Sequence, residues 1–396
     1  MGKTLSEIAQ QLSTPQKVKK TVHKEVEATR AVPKVQLIYA FNGTGKTRLS
    51  RDFKQLLESK VHDGEGEDEA EQSALSRKKI LYYNAFTEDL FYWDNDLQED
   101  AEPKLKVQPN SYTNWLLTLL KDLGQDSNIV RYFQRYANDK LTPHFNPDFT
   151  EITFSMERGN DERSAHIKLS KGEESNFIWS VFYTLLDQVV TILNVADPDA
   201  RETHAFDQLK YVFIDDPVSS LDDNHLIELA VDLAGLIKSS ESDLKFIITT
   251  HSPIFYNVLF NELNGKVCYM LESFEDGTFA LTEKYGDSNK SFSYHLHLKQ
   301  TIEQAIADNN VERYHFTLLR NLYEKTASFL GYPKWSELLP DDKQLYLSRI
   351  INFTSHSTLS NEAVAEPTPA EKATVKLLLD HLKNNCGFWQ QEQKNG

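Results

Sequence analysis

Tyr211-Val-Phe-Ile-Asp-Asp-Pro-Val-Ser-Ser-Leu-Asp222 is the stretch on which the fold turns. Its apolar start reads as a strand that delivers Asp215 to its C-terminal end, the place where an open α/β sheet binds its ligand. An amphipathic helix, Leu226 to Ile237, and a second buried-type strand, Phe246 to Thr249, follow in the βαβ rhythm of a parallel sheet. Upstream, Val35 to Ala40 (VQLIYA) is another short strand. From it, Ala40-Phe-Asn-Gly-Thr-Gly-Lys-Thr47 leads into the helically spaced RLSRDFKQLLESK, in the pattern of a P-loop with Ala40 in place of the first glycine. In such a loop the backbone N–H groups of Asn42, Gly43, Thr44, Gly45, Lys46 and Thr47 cradle phosphates at a helix N-terminus. Lys46 would reach the β and γ phosphates, and Thr47 and Asp215 would take Mg²⁺. Adjacent Asp216 stands where a general base or water-orienting carboxylate belongs.

Two more motifs complete a pattern. Leu169-Ser-Lys-Gly-Glu-Glu174 is a polar, glycine-containing turn with a helix behind it, and Thr249-Thr-His251 closes a strand. With Ser219-Ser-Leu-Asp222, these motifs in this order resemble the ABC-type ATPases: a signature loop (Ser170, Gly172, Glu173), a D-loop ending at Asp222, and a switch histidine, His251. The resemblance implies composite sites in which one head's P-loop faces another head's signature loop. One set of motifs per chain then requires a homo-oligomer, at least a head-to-tail dimer, working on GTP or ATP with Mg²⁺. About 120 residues, without heptads, separate P-loop and signature, which weighs against a chromosome-organising head with its long coiled coil. A transporter head would leave the C-terminal block unexplained.

The chain of 396 residues is long for one domain, and its 40% hydrophobic content, with 22 Phe, 17 Tyr and 5 Trp, suffices for sizeable cores. Two cysteines, Cys268 and Cys386, exclude a disulfide scaffold and a four-thiolate zinc site and suit a reducing cytoplasm. The N-terminus lacks the apolar h-region of a secretory signal. The one membrane-length stretch, Phe177 to Val195, carries Asp187 and Gln188 at its centre and reads as a core helix, so a cytoplasmic protein without a membrane partner is expected. His62 to Ser73 (HDGEGEDEAEQS) reads as an acidic solvated loop, Trp115 to Leu123 and Ile129 to Tyr136 as a helical insert over about 105–145, and Phe149 to Met156 as a half-buried strand. Lys266 to Leu271 and Thr278 to Thr282 form a closing hairpin, and from about Tyr294 the helical period dominates. The expected fold is an α/β ABC-type P-loop NTPase head over 1–283, then a mainly α-helical domain over 284–396. Net charge is −16, but residues 284–396 hold 13 basic and 13 acidic residues, so the excess acid lies wholly in the first part. A neutral C-terminal block can still meet RNA phosphates.

In that block the chain resembles the bacterial anticodon nucleases of the PrrC and RloC type. The resemblance runs from FNGTGKT, LSKGEES, IDDPVSSLD and TTHSP to the peptide Lys284-Tyr-Gly-Asp-Ser-Asn-Lys290, the Arg320 and Glu324 pair, and His356. It implies an endoribonuclease that cuts tRNA(Lys) 5′ to the wobble nucleotide. Such enzymes are silenced by a type I restriction-modification complex and released by a phage-encoded peptide during infection, with GTP hydrolysis driving activation and dTTP stabilising the active form. Arg320, Glu324 and His356 match the family's nuclease triad, and Asp287, within Lys284, Tyr285, Gly286, Ser288, Asn289 and Lys290, matches its anticodon-recognition element. Physically, Arg320 and Glu324 lie at i and i+4 and share a helix face, a spacing that by itself is that of an ordinary surface ion pair. His356 follows a helix in a Ser/Thr-rich loop. Such a set can move two protons and hold a phosphoryl group while the RNA 2′-OH attacks its own phosphate, with His356 and Glu324 sharing the acid and base roles and Arg320 as the clamp. Too few carboxylates stand here for two-metal chemistry, so no metal is expected in the nuclease site, and a 2′,3′-cyclic phosphate is expected as product. The alternative is a noncatalytic ABC-type ATPase for DNA maintenance or complex assembly with a helical docking tail.

Overall fold

The structure is a computed structural model describing residues 2–22, 24–59, 79–84, 89–95, 102–158, 162–217, 223–274, 276–284, 294–355 and 367–388. The chain divides into two compact units, Met1–Asp287 and Ser288–Gly396. The acidic stretch 62–73 lies outside the described residues.

The first unit opens with α1 (Leu5–Ser13), started by a capping box in which Thr4 and Glu7 satisfy each other's backbone N–H groups. β1 (Gln16–Val22) and β2 (Lys24–Arg30) form an antiparallel hairpin. β3 (Val35–Tyr39) is buried at all five positions and runs through the P-loop into α2 (Lys46–Ser59). After β4 (Ile80–Tyr83) come β5 (Phe91–Asp94), β6 (Lys104–Val107), α3 (Ser111–Asp122), α4 (Asp126–Tyr136), β7 (Leu141–Phe145), β8 (Glu151–Arg158) and β9 (Glu162–Ser164). The chain returns through α5 (Lys171–Leu193), β10 (Tyr211–Asp215), α6 (Asp223–Ser239), β11 (Lys245–Thr250), α7 (Pro253–Glu262), β12 (Lys266–Ser273) and β13 (Phe279–Lys284).

The main sheet has the order β13-β12-β3-β11-β10-β4, parallel from β12 to β4, with β13 antiparallel at the edge. Helices cover both faces, which is why VQLIY reads as an unbroken apolar run instead of an alternating one. Ile38 shares a core with Ile8 and Leu12 of α1 and Phe53 of α2, while Tyr39 meets Tyr256 of α7 edge to face with ring centroids 5.8 Å apart. The one polar residue in the run, Gln36, is fully buried and donates to the Leu12 carbonyl at 2.9 Å. Its Nε2 thereby satisfies one of the carbonyls left open at the end of α1.

The smaller sheet is antiparallel, ordered β5-β6-β8-β7 with β9 on β8. The expected helical insert over about 105–145 is therefore corrected: α3 and α4 are helices, but β6 and β7 bound them as strands. Pro143 hides β7 in the sequence, and the strand tolerates it because it lies at the sheet edge. This sheet and α4 pack on the first turns of α5, where Phe177 meets Phe154 at 5.2 Å and Phe133 at 5.6 Å. Among the described residues α5 is the one helix long and apolar enough to cross a membrane, but 83% of its most apolar window is buried inside the unit. It is a core helix, as its central Asp187 suggests. β13 extends through Lys284, one residue past the expected boundary.

In the second unit the described elements are all helical: α8 (Tyr294–Ala307), α9 (Arg313–Leu330), a 3₁₀ turn (Trp335–Leu338), α10 (Lys343–Ser355) and α11 (Pro369–Asn385). Ile302, Leu319, Leu322, Ile350 and Leu378 meet in one core. The buried Tyr323 hydroxyl donates to the Leu378 carbonyl at 2.9 Å and ties α9 to α11. Gly331, at φ 79°, ends α9 in the left-handed conformation that glycine adopts without strain.

Candidate nucleotide site

The parallel order sends the C-terminal ends of β3, β11, β10 and β4 to one edge of the sheet, and the site is assembled there. The P-loop between β3 and α2 turns on Gly43 and Gly45, at φ 83° and 103°, where other residues would be strained. Lys46, only 7% exposed, donates to the Ala40 carbonyl at 3.3 Å, the Phe41 carbonyl at 3.4 Å and Asn42 Oδ1 at 3.3 Å. The lysine thus holds the loop in a ring around its own ammonium. Thr44 is buried, and its N–H donates to the Phe41 carbonyl at 3.3 Å.

Asp215 ends β10 almost fully buried. The Thr47 hydroxyl donates to its Oδ2 at 2.6 Å, and Thr249 at the end of β11 donates to its Oδ1 at 2.5 Å. Burial pushes the Asp215 carboxyl above its ordinary value and the Asp216 charge adds to this, while the two threonine hydrogen bonds and Lys46 pull it back. Asp216 follows in the left-handed region at φ 50°, where Asp is among the residues that tolerate it. Its Oδ2 lies 2.6 Å from His251 Nδ1 and 3.4 Å from Lys46 Nζ, and its Oδ1 is 3.3 Å from the His251 N–H. Burial alone would raise this carboxyl, but the His251 hydrogen bond and the Lys46 charge outweigh it and hold Asp216 below the usual range. An ionised carboxylate only accepts, so His251 Nδ1 carries the proton.

The donor set fits a hard divalent cation, because a hydroxyl and a carboxylate converge beside the loop that would hold phosphates. Thr47 and Asp215 would hold Mg²⁺, which when bound neutralises charge on the β and γ phosphates. Beside them Lys46 places a cation next to the loop, and Asp216 and His251 form a carboxylate–imidazole pair 2.6 Å apart at the same sheet edge.

The residues expected to form a signature loop are organised as a helix start. Ser170 is the N-cap of α5, accepting from the Glu173 N–H at 3.3 Å while Glu173 accepts from the Ser170 N–H at 2.8 Å. Gly172 lies in the first turn. Glu174 is buried behind them and receives Trp93 Nε1 at 3.0 Å and Lys171 Nζ at 2.9 Å, which fastens this helix end to β5. The exposed Ser170 and Lys171 face solvent.

In the second unit Arg320 Nε donates to Glu324 Oε1 at 2.8 Å on α9, with the two side chains 37% and 38% exposed, and the guanidinium lies 6.0 Å from the Trp335 ring centroid. Asp222, His356, Tyr285, Gly286, Asp287, Ser288, Asn289 and Lys290 lie outside the described residues. Lys284 is the last residue of β13, opposite Cys268.

Sequence reasoning missed Thr249 and Asn84. Ile214 pairs with Tyr83, which puts Asn84 one residue on, level with Asp215. Asn84 is fully buried, and its Nδ2 donates to the Tyr82 hydroxyl at 2.7 Å. The signal that could have found it was a polar residue at the C-terminal end of a parallel strand.

No protein-family model matches the chain. Among solved structures it is similar to an Smc head domain with a coiled coil and joint from Pyrococcus yayanosii, at 12% identity and a TM-score of 0.27, covering 40% of this chain and 26% of that one. It is also similar to an Smc head bound to the C-winged helix domain of ScpA, at 13% identity and a TM-score of 0.33, covering 68% and 96%. A third likeness is the dimeric structure of a bacterial ABC transporter cassette, at 11% identity and a TM-score of 0.31, covering 65% and 91%. Likenesses of this size carry no functional conclusion.

Proposed function

We propose that this chain is an ABC-type, Mg²⁺-dependent nucleotide switch whose C-terminal unit is a tRNA anticodon nuclease. The observation that carries the nucleotide half is the convergence of Lys46, Thr47, Asp215, Asp216 and His251, from three separate strand ends, onto two carboxylates with complementary partners. A buried carboxylate, Asp215, beside a second one that is only 16% exposed costs folding free energy, a cost that a charged ligand bound at the glycine loop would put to use. The exposed signature helix end supports a second copy completing each site, hence a homo-oligomer.

The nuclease half rests on the sequence resemblance over 284–396 and is supported by the Arg320–Glu324 pair, a guanidinium and a carboxylate held together on one helix. Glu324 and His356 act as the acid–base pair and Arg320 as the phosphoryl clamp in cyclising transesterification, while Asp287 and its neighbours read the anticodon of tRNA(Lys). A restriction-modification silencer, a phage peptide as trigger, GTP as fuel and dTTP as stabiliser belong to the same proposal. The test is incubation of the pure full-length protein with total tRNA, with and without GTP, ATP and dTTP, alongside Lys46→Ala. One discrete cut 5′ to the wobble position of tRNA(Lys), ending in a cyclic phosphate and changed by nucleotide only in the parent, is the expected result. Nucleotide hydrolysis with every tRNA left intact would leave the ATPase and remove the nuclease.

A further inference from the structure

Thr249 occupies the last-but-one position of a central parallel strand, after Ile247 and Ile248, where an apolar β-branched residue would be the ordinary occupant. It is fully buried, and burying a hydroxyl costs free energy unless the hydroxyl is bonded. The parallel register sets it directly opposite Asp215, and its Oγ1 donates to Asp215 Oδ1 at 2.5 Å. The other carboxylate oxygen, Oδ2, takes the Thr47 hydroxyl at 2.6 Å. The two oxygens of Asp215 are therefore distinguished: one is tied to the sheet, and the other is turned to the P-loop. The Thr249 carbonyl also accepts the Asp216 N–H at 2.9 Å, so this one residue touches both carboxylate-bearing positions, one through its side chain and the other through its backbone.

We infer that Thr249 is a positioning residue that fixes the rotation of the Asp215 carboxylate, so that a single oxygen is presented to Thr47 and to the divalent cation of a bound nucleotide. The inference rests on the nucleotide-site reading and deepens it by naming what sets its metal dependence. The torsion that turns an aspartate carboxylate is broad and roughly two-fold, so burial by itself does not choose between its oxygens, whereas a hydrogen bond to one of them does. Without it the Thr47 hydroxyl alone would hold the carboxylate, and a cation would have to complete its ordering on binding, which weakens its affinity. Partners of metal ligands in comparable positions affect metal affinity by about 10- to 100-fold. Valine has nearly the shape of threonine and leaves the backbone bond to Asp216 intact, so Thr249→Val isolates the hydroxyl.

The experiment is equilibrium binding of a fluorescent ATP analogue to the full-length protein, titrated with Mg²⁺ and repeated in EDTA, for the parent, Thr249→Val and Thr249→Ser. The expected result is that Thr249→Val raises the Mg²⁺ concentration for half of the metal-dependent gain in affinity by about tenfold. Affinity in EDTA stays unchanged, and Thr249→Ser behaves as the parent. If Thr249→Val does not fold, Thr249→Ala, which also lacks the hydroxyl, takes its place against Thr249→Ser. An unshifted Mg²⁺ curve overturns the inference, and so does an equal loss of affinity in EDTA, which would mark a packing role. A parent protein whose nucleotide affinity does not respond to Mg²⁺ at all overturns the nucleotide-site reading itself, an outcome distinct from either of these.

Discussion

Two close ion pairs, one in each unit, have different origins. Lys46 and Asp216 come from segments far apart in the chain and meet 3.4 Å apart, only 7% and 16% exposed. Arg320 and Glu324 are one helical turn apart on α9 and more than a third exposed. The helix repeat brings the second pair together with no help from the rest of the fold, and such a pair is worth a few tenths of a kcal/mol, about 0.3–0.5. The first pair must be assembled by the sheet against a desolvation penalty. Its existence is therefore informative about function by geometry alone, whereas the second acquires meaning only from the residues around it and from the family resemblance.

The largest effect expected separates the two regions. His356→Ala should lower tRNA cleavage by about 100- to 10,000-fold, the range for losing a general acid or base, and leave Mg²⁺–nucleotide binding at the parental level. Parallel measurement of cleavage rate and nucleotide affinity checks it. Equal loss of both would mean that the regions are not separable modules.

A smaller effect tests how the regions are coupled. In the sequence resemblance to ABC-type ATPases, Asp216 matches a position that usually holds Glu, one methylene longer, and a misplacement of about 1 Å at a water-orienting group can cost about 100-fold in rate. Under the proposed function, slow hydrolysis would serve as a timer for the nuclease. Asp216→Asn should prolong the nucleotide-bound state, and Asp216→Glu should change how long tRNA cleavage lasts, read by single-turnover hydrolysis beside a cleavage time course. Altered hydrolysis with unaltered onset and duration of cleavage would break the proposed coupling.

The smallest effect lies in stability and has opposite signs at adjacent residues. Asp215 has a raised carboxyl pKa in the folded chain, so its ionised form costs stability above that pKa, and the cost disappears below the unfolded value. Asp215→Asn should therefore raise the Tm of the nucleotide-free protein at pH 8 by about 2–4 °C, with the gain vanishing toward pH ~4. Asp216 is depressed instead, so it contributes stability above its unfolded pKa that is lost as pH falls through the folded one. Asp216→Asn should accordingly lower Tm at pH 8. Thermal melts of both variants across pH check the pair of signs, and the same sign for both would mean that their environments are alike.

What the sequence determined by itself was local or periodic. VQLIY and YVFID declare strands because both faces of a parallel sheet are covered, FNGTGKT declares its turn through two glycines at positive φ, and the Arg320–Glu324 contact follows from helical spacing alone. The tertiary structure alone decided what depends on register between strands distant in sequence. Thr249 looks like any β-branched residue of a buried strand until β11 is laid beside β10 and its hydroxyl meets Asp215. Asn84 gains its place only when β4 pairs with β10. The strands β6 and β7 were concealed by their shortness and by Pro143, which only the knowledge of an edge position makes acceptable. Likewise, Asp215 and Asp216 are twin letters in the sequence, but one is pushed up and the other held down because burial acts on both while Lys46 and His251 outweigh it only at the second. Which side chains share a buried oxygen is set by the order of strands in the sheet, and that order is a property of the folded chain as a whole.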